Sequence, residues 1–340
     1  MKRRLIMTRC ERVKAALAHQ KADKIPTCIH LAGDGNRLYA DRLYDRYTDE
    51  RLRTLCQEGK IARHHALYYG IGNHVLVVNC PWWGWYDLPA SYYQEEEAPG
   101  YLPKTIGTGS YEDFAATVRN LKEYTDAYVL VTIWGSHFEK ANFARGIENF
   151  LADLAGDPEY AQSMLDFIIH KNLVMLENIV NTPGLDGILL GSDWGSQRDL
   201  LMSPECWRKM IAPGEKKEYD LIHQAGLDVW VHSCGDIRKI FPDLVEMGVD
   251  ALNPIQPECM DICELKEKYG SKMTFWGGIS TQKTLPYGTP EGVAAETRQV
   301  ASALSRNGGY IIGPAQEIQA DVPFENLCAL IDTANALVEE

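Results

Sequence analysis

No uninterrupted apolar run in this chain approaches the roughly 18 residues that a membrane helix needs, so nothing in it reads as a membrane span. The opening MKRRLIMTRCERVKAALAHQ starts with basic residues, as a secretory signal does. Only Leu5, Ile6 and Met7 follow before Arg9 and Glu11, so the apolar centre of such a signal is missing and the segment reads as an amphipathic helix. Basic charge is in deficit: 34 Lys and Arg against 47 Asp and Glu give a net charge of −13, with no long Lys/Arg cluster. A phosphate-backbone partner requires a basic surface, so no nucleic acid is expected. The same balance disfavours a strongly anionic substrate unless a local basic pocket overrides it. Linkers rich in Pro, Gly or Ser, low-complexity tracts and short internal repeats are all lacking. The nine cysteines are odd in number and irregular in spacing, which excludes a disulfide framework and leaves thiols, one or more of them ligands. A cytoplasmic protein without a membrane partner, forming one domain over residues 1–340, is the expectation.

What is present is core-forming material. Of 340 residues, 45% are apolar, enough for a sizeable interior. Eight short β-rich runs can be marked, at 24–31, 74–80, 127–134, 187–193, 228–234, 250–256, 273–279 and 309–315. Most are near-continuous apolar stretches, as strands covered on both faces should be. Segments of helical spacing lie between them, one opening at Pro158 and Glu159 and the last carrying Leu327, Leu330, Ile331 and Leu337. Strand and helix alternating eight times predict a single parallel (β/α)8 TIM barrel. The first two connections are longer than the rest and predict extra N-terminal helices.

In such barrels the chemistry sits at the C-terminal strand ends. Those ends read His30, Asn79 with Cys80, Trp134, Asp193, His232 with Cys234, Asn253 with Gln256, Trp276, and Gln316 with Glu317. Within DVWVHSCG (228–235), His232 and Cys234 are two apart and so share one strand face. Imidazole nitrogen with thiolate sulfur suits zinc, and the bland alternative is a core histidine beside an inert buried cysteine. Asp193, between Gly191 and Gly195, ends the fourth run as a ligand, a proton acceptor or a simple loop cap. Ser203, Pro204 and Glu205 open the next helix as N-cap and first turn. NCPWWGWYDL (79–88) crowds Trp82, Trp83 and Trp85 into one loop, either as a pocket floor that includes Trp83 or as loop-to-barrel packing. HFEKANFARG (137–146), after the third run, supplies His137 and Glu139 as polar candidates, or is only a solvated helix start. Glycine-containing stretches such as AGDGNR (32–37) lack the strand-to-helix phosphate fingerprint, so no nucleotide site is read.

With these pieces in view, the sequence resembles the uroporphyrinogen decarboxylase superfamily along nearly its whole length. The resemblance is carried by RCERVKAALAHQKADKIP, GSDWGSQRDLLMSPECW, VHSCGDI, GVDALNPIQ and FWGGIS, in the family's order. The HSCG element further resembles the cobalamin-dependent methyltransferase branch, in which the matching His and Cys are zinc ligands. That implies metal ligation by His232 and Cys234. Two departures accompany the resemblance. The decarboxylases' arginine-rich motif after the first strand is replaced by HLAGDGNRLYADRLYDRY, with Arg37, Arg42 and Arg46 in a different pattern. Gln316 stands where the thiol methyltransferases of the branch place a third ligand cysteine. The third ligand is left among Asp193, Cys80, Glu317 and Gln316.

The expectation is a zinc-assisted methyltransferase of the O-demethylase type. It would move a methyl group between a small methylated substrate and a corrinoid carried by a partner protein. Asp193 is the catalytic candidate, and Trp83, Trp276 and Gln316 are the substrate-binding candidates. A methylcobamide:thiol methyltransferase, a metal-free porphyrinogen decarboxylase and a catalytically silent subunit holding a corrinoid partner are the alternatives. A homodimer is compatible with the sequence.

Overall fold

The computed structural model describes residues 6–87 and 102–338. Among the described residues there are nine strands: β1 (Val75–Asn79), β2 (Trp82–Trp85), β3 (Thr105–Thr108), β4 (Tyr128–Ile133), β5 (Gly187–Gly191), β6 (Asp228–His232), β7 (Ala251–Asn253), β8 (Thr274–Ile279) and β9 (Tyr310–Pro314). Seven form a parallel sheet in the order β1-β4-β5-β6-β7-β8-β9, and β2 pairs with β3 in a separate two-stranded sheet. This is a TIM-barrel-like α/β fold, preceded by helices Arg9–Leu17, Gly33–Tyr47, Glu50–Gln57 and Arg63–Gly70. Every residue of β4, β5, β7, β8 and β9 is buried, which is why these runs are apolar without alternation. Among the described residues no helix is long and apolar enough to cross a membrane.

The chain divides into two compact units. One comprises Met1–Val77, Thr117–Leu130 and Asp250–Glu340, and the other Val78–Ala116 and Val131–Val249. In the first unit, β8 pairs in parallel with β7 and β9, with Gly277 opposite Ile312. The segment at 24–31 departs from the expected strand and makes only isolated bridges, Thr27 to Ile312 and Leu31 to Ile318. The reason lies in its partners. Pro26 has no N–H to give. On the side toward β1, side chains stand in for a ladder. His74 Nδ1 accepts the Thr27 N–H at 3.1 Å, and the Asn73 amide takes both the Ile29 N–H at 2.9 Å and its C=O at 2.8 Å. The backbone groups are satisfied, so the segment holds its place with little regular strand.

In the second unit, β5 and β6 run in register from Gly187 opposite Asp228 to Gly191 opposite His232. The long helix Pro158–Ile179 starts at the expected proline, with Asp157 as N-cap accepting the Tyr160 N–H at 3.2 Å. Ser203 caps as expected, accepting the Cys206 N–H at 3.1 Å. The tryptophan segment is strand rather than loop, with Trp83 opposite Gly107.

Candidate metal centre

The centre is built where β5 and β6 end. Along β6, Trp230 and His232 share one face and Val229 and Val231 the other, all buried. Past the strands, the loop after β5 and the loop after β6 touch backbone to backbone. Two glycines make that approach feasible. A Cβ on Gly195 would stand 2.6 Å from the Cys234 carbonyl oxygen, and one on Gly235 would stand 2.5 Å from the Ser196 oxygen. Gly235 also sits at φ +84°, where only glycine is comfortable. Hydrogen bonds lace the loops together: Ser192 N–H to the His232 carbonyl at 3.0 Å, Trp194 N–H to Ser233 Oγ at 3.0 Å, and Asp236 N–H to the Ser196 carbonyl at 2.8 Å.

This lacing brings three donor atoms of different chemistry together. Cys234 Sγ lies 3.5 Å from His232 Nε2, and His232 Nε2 lies 3.6 Å from Asp193 Oδ1. The ligand atoms of Asp193, His232 and Cys234 all fall within 4.8 Å of one another. No other group of three His, Cys, Asp or Glu side chains meets that condition among the described residues. The Cys234 backbone N–H donates to Asp193 Oδ1 at 2.7 Å, which fixes the carboxylate against the loop it must face. His232 is nearly enclosed while the Asp193 side chain is 41% exposed, so the cluster is open on the carboxylate side. Oxygen, nitrogen and sulfur donors at this spacing fit a zinc-sized ion.

Trp134 completes the wall. Its ring meets the His232 imidazole edge to face, with centroids 4.9 Å apart at 84°, and it remains 38% exposed. Gly191 makes room for it, since a Cβ there would stand 2.9 Å from the indole. Beside it, the Gly135 N–H donates to Glu139 Oε2 at 3.1 Å. Burial, and secondarily the charge of Asp193, pushes the Glu139 carboxyl up to about 7.

The expected solvated helix start is thus corrected. In helix His137–Arg145, His137 is 1% and Lys140 2% exposed. Lys140 Nζ donates to the Gly135 carbonyl at 2.8 Å and lies over the rings of Trp82 and Trp83. Burial lowers His137 to about 4 and Lys140 to about 8. An H-x-E-K string after a strand carries no mark of enclosure, so sequence reasoning named His137 and Glu139 without their burial and missed Lys140. The aromatic content of the neighbouring hairpin was the available signal, because a lysine can be buried against indole faces.

The remaining predicted residues sit as follows. Trp83 is 5% exposed, gives its Nε1–H to Asn172 Oδ1 at 2.8 Å, and meets Trp85 and Phe167 edge to face. It packs the β2–β3 hairpin onto helix Pro158–Ile179. Trp276, at 6% exposure, donates its Nε1–H to the Cys28 carbonyl at 2.9 Å. The Gln316 side chain accepts the Glu317 N–H at 2.9 Å and is half-buried. Both lie in the first unit, whereas the three-residue cluster lies wholly in the second. None of the nine cysteines is joined in a disulfide.

The family model described as uroporphyrinogen decarboxylase (URO-D) matches residues 103–337. A methylated-thiol–coenzyme M methyltransferase of Methanosarcina mazei is 24% identical over 62% of this chain and 54% of its own length. A uroporphyrinogen decarboxylase of Vesicomyosocius okutanii is 23% identical over 55% of this chain and 52% of its own. The chain therefore spans about half the length of the curated relatives it matches. Among solved structures, a methyltransferase from Methanosarcina mazei superposes with a TM-score of 0.66 at 18% identity, covering 97% of this chain and 98% of the other, which shows the shared fold.

Proposed function

The chain belongs to the uroporphyrinogen decarboxylase family, and on that premise we propose that it is a zinc-assisted methyltransferase. In this reading Asp193, His232 and Cys234 hold the ion. The observation that carries the proposal is the convergence of their oxygen, nitrogen and sulfur within 4.8 Å on loops that only glycine allows to touch. Bound zinc supplies a Lewis acid that stabilises negative charge on the atom losing a methyl group. The substrate is a small methoxylated compound, and the acceptor is a corrinoid carried by a partner protein.

The protein's own residues have distinct tasks. Cys234 binds as thiolate and His232 as neutral imidazole. The Trp134 edge holds the imidazole plane, and its open part offers apolar contact to a methyl group. A corrinoid, when bound, would supply the nucleophile that takes the methyl carbon, and the electron pair of the broken C–O bond would stay on oxygen. Such an oxyanion is a strong base and a poor leaving group. Glu139, poised near neutrality, donates the proton it needs.

A second reading is favoured by the likeness to the methylated-thiol methyltransferase. There the methyl group is on sulfur, and a thiol rather than an alcohol is the other substrate. Methyl transfer to cob(I)alamin, followed by its absorbance change, tests both. Activity with a methoxylated substrate that disappears in Cys234→Ala supports the first reading. Activity only with a methyl thioether supports the second. Transfer that persists in metal-free Cys234→Ala would overturn both.

A further inference from the structure

One cavity contains none of the residues of the candidate metal centre. It measures about 700 Å³, lies wholly in the first unit, and is lined by Tyr44, Arg53, Lys60, Arg63 and His65, with Asn120 across from them. No Asp or Glu lines it, in a chain whose net charge is −13. The cations are gathered rather than scattered. The Arg63 and Arg53 guanidiniums lie 4.2 and 4.9 Å from the centroid of the same Tyr44 ring, which holds two like charges close together. Three backbone carbonyls, of Tyr44, Asp45 and Thr48, fix the Arg53 fork at 3.0–3.2 Å. Their carboxylate neighbours are weak competitors. Asp41 pairs with Arg63 at 2.7 Å and Asp45 with Arg53 at 3.6 Å, yet those carboxylates are 84% and 76% exposed. Ion pairs that wet contribute little, so an anion can displace them.

Two further features border the cavity. Helix Arg63–Gly70 begins at this cavity with Ala62 as N-cap and no side-chain cap, leaving its first N–H groups for an anion. His65, 3% exposed, places Nε2 3.0 Å from the Val77 carbonyl. His64 Nε2 stands 3.1 Å from the same nitrogen, so the ring is held on that side by two partners. We infer that this cavity binds a phosphorylated small molecule of nucleotide size. The phosphate sits between Lys60, Arg63 and the helix start, and the volume is within the range of ligand sites.

Calorimetric titration of the whole chain with inorganic phosphate, pyrophosphate and ADP at low salt tests this independently of methyl transfer. ADP is expected to bind saturably and more tightly than phosphate. Its affinity is expected to fall about tenfold in Lys60→Ala and in Arg63→Ala, the loss of one charge-assisted contact, and to be unchanged in Cys234→Ala. Unaltered melting of Lys60→Ala, whose side chain holds no carboxylate, shows that the loss is not unfolding. Absence of saturable binding by all three probes would overturn the inference. So would equal affinity in Lys60→Ala and Arg63→Ala, or tighter binding of a single-stranded oligonucleotide than of ADP.

Discussion

Two thiol–imidazole pairs stand one residue apart in this chain, and only one of them has the makings of a metal centre. In Cys28-Ile29-His30 the Sγ–Nε2 distance is 3.2 Å, and in His232-Ser233-Cys234 it is 3.5 Å. Spacing of two therefore does what strand geometry says, twice. The surroundings differ. Cys28 is fully buried, and burial pushes its thiol well above the usual range. His30 is lowered to about 4, first by burial and then by the charge of His64, and its ring packs against Tyr68 and Trp276. No carboxylate joins them in a three-donor group among the described residues. The second pair has Asp193 at 3.6 Å and an open side. A soft pair becomes a candidate centre only when a neighbouring loop delivers a third donor.

Cys234→Ala or His232→Ala should abolish stoichiometric zinc, measured by elemental analysis after dialysis, whereas Cys28→Ala should retain it. Asp193→Asn, which keeps shape and removes charge, should weaken zinc affinity by about 10–100-fold in competition with a chromogenic chelator. Gly195→Ala should also weaken zinc binding, by less, because the added carbon forces the loop away from the Cys234 carbonyl. Cys28→Ala should cost only stability, about 1 kcal/mol in denaturant melts. The smallest effect concerns protons. His30 holds a proton less readily folded, at about 4, than unfolded, at 6.5. Its contribution is therefore present above pH 6.5 and is lost as pH falls toward 4. The melting temperature of His30→Asn should decline less steeply over that interval than the native chain's.

The fold was legible because doubly covered strands write themselves as apolar runs, and β4 or β9 needs no alignment to find. The segment 24–31 has the same texture but is held through Asn73, His74 and Tyr68, partners that a local pattern does not display. At the site, His232, Cys234 and Asp193 could be read because strand ends and flanking glycines mark them. Lys140 could not, since its enclosure depends on the distant strands that carry Trp82 and Trp83. Trp83 shows the converse: its residue type suggested a pocket floor, while its indole N–H is spent on Asn172.

The most direct measurement is anomalous diffraction at the zinc absorption edge on crystals of the zinc-loaded protein. One strong peak is expected, bounded by Asp193 Oδ1, His232 Nε2 and Cys234 Sγ, and none beside Cys28 and His30. Zinc-loaded crystals with no peak at the first position, or with the peak at the second, would contradict that expectation.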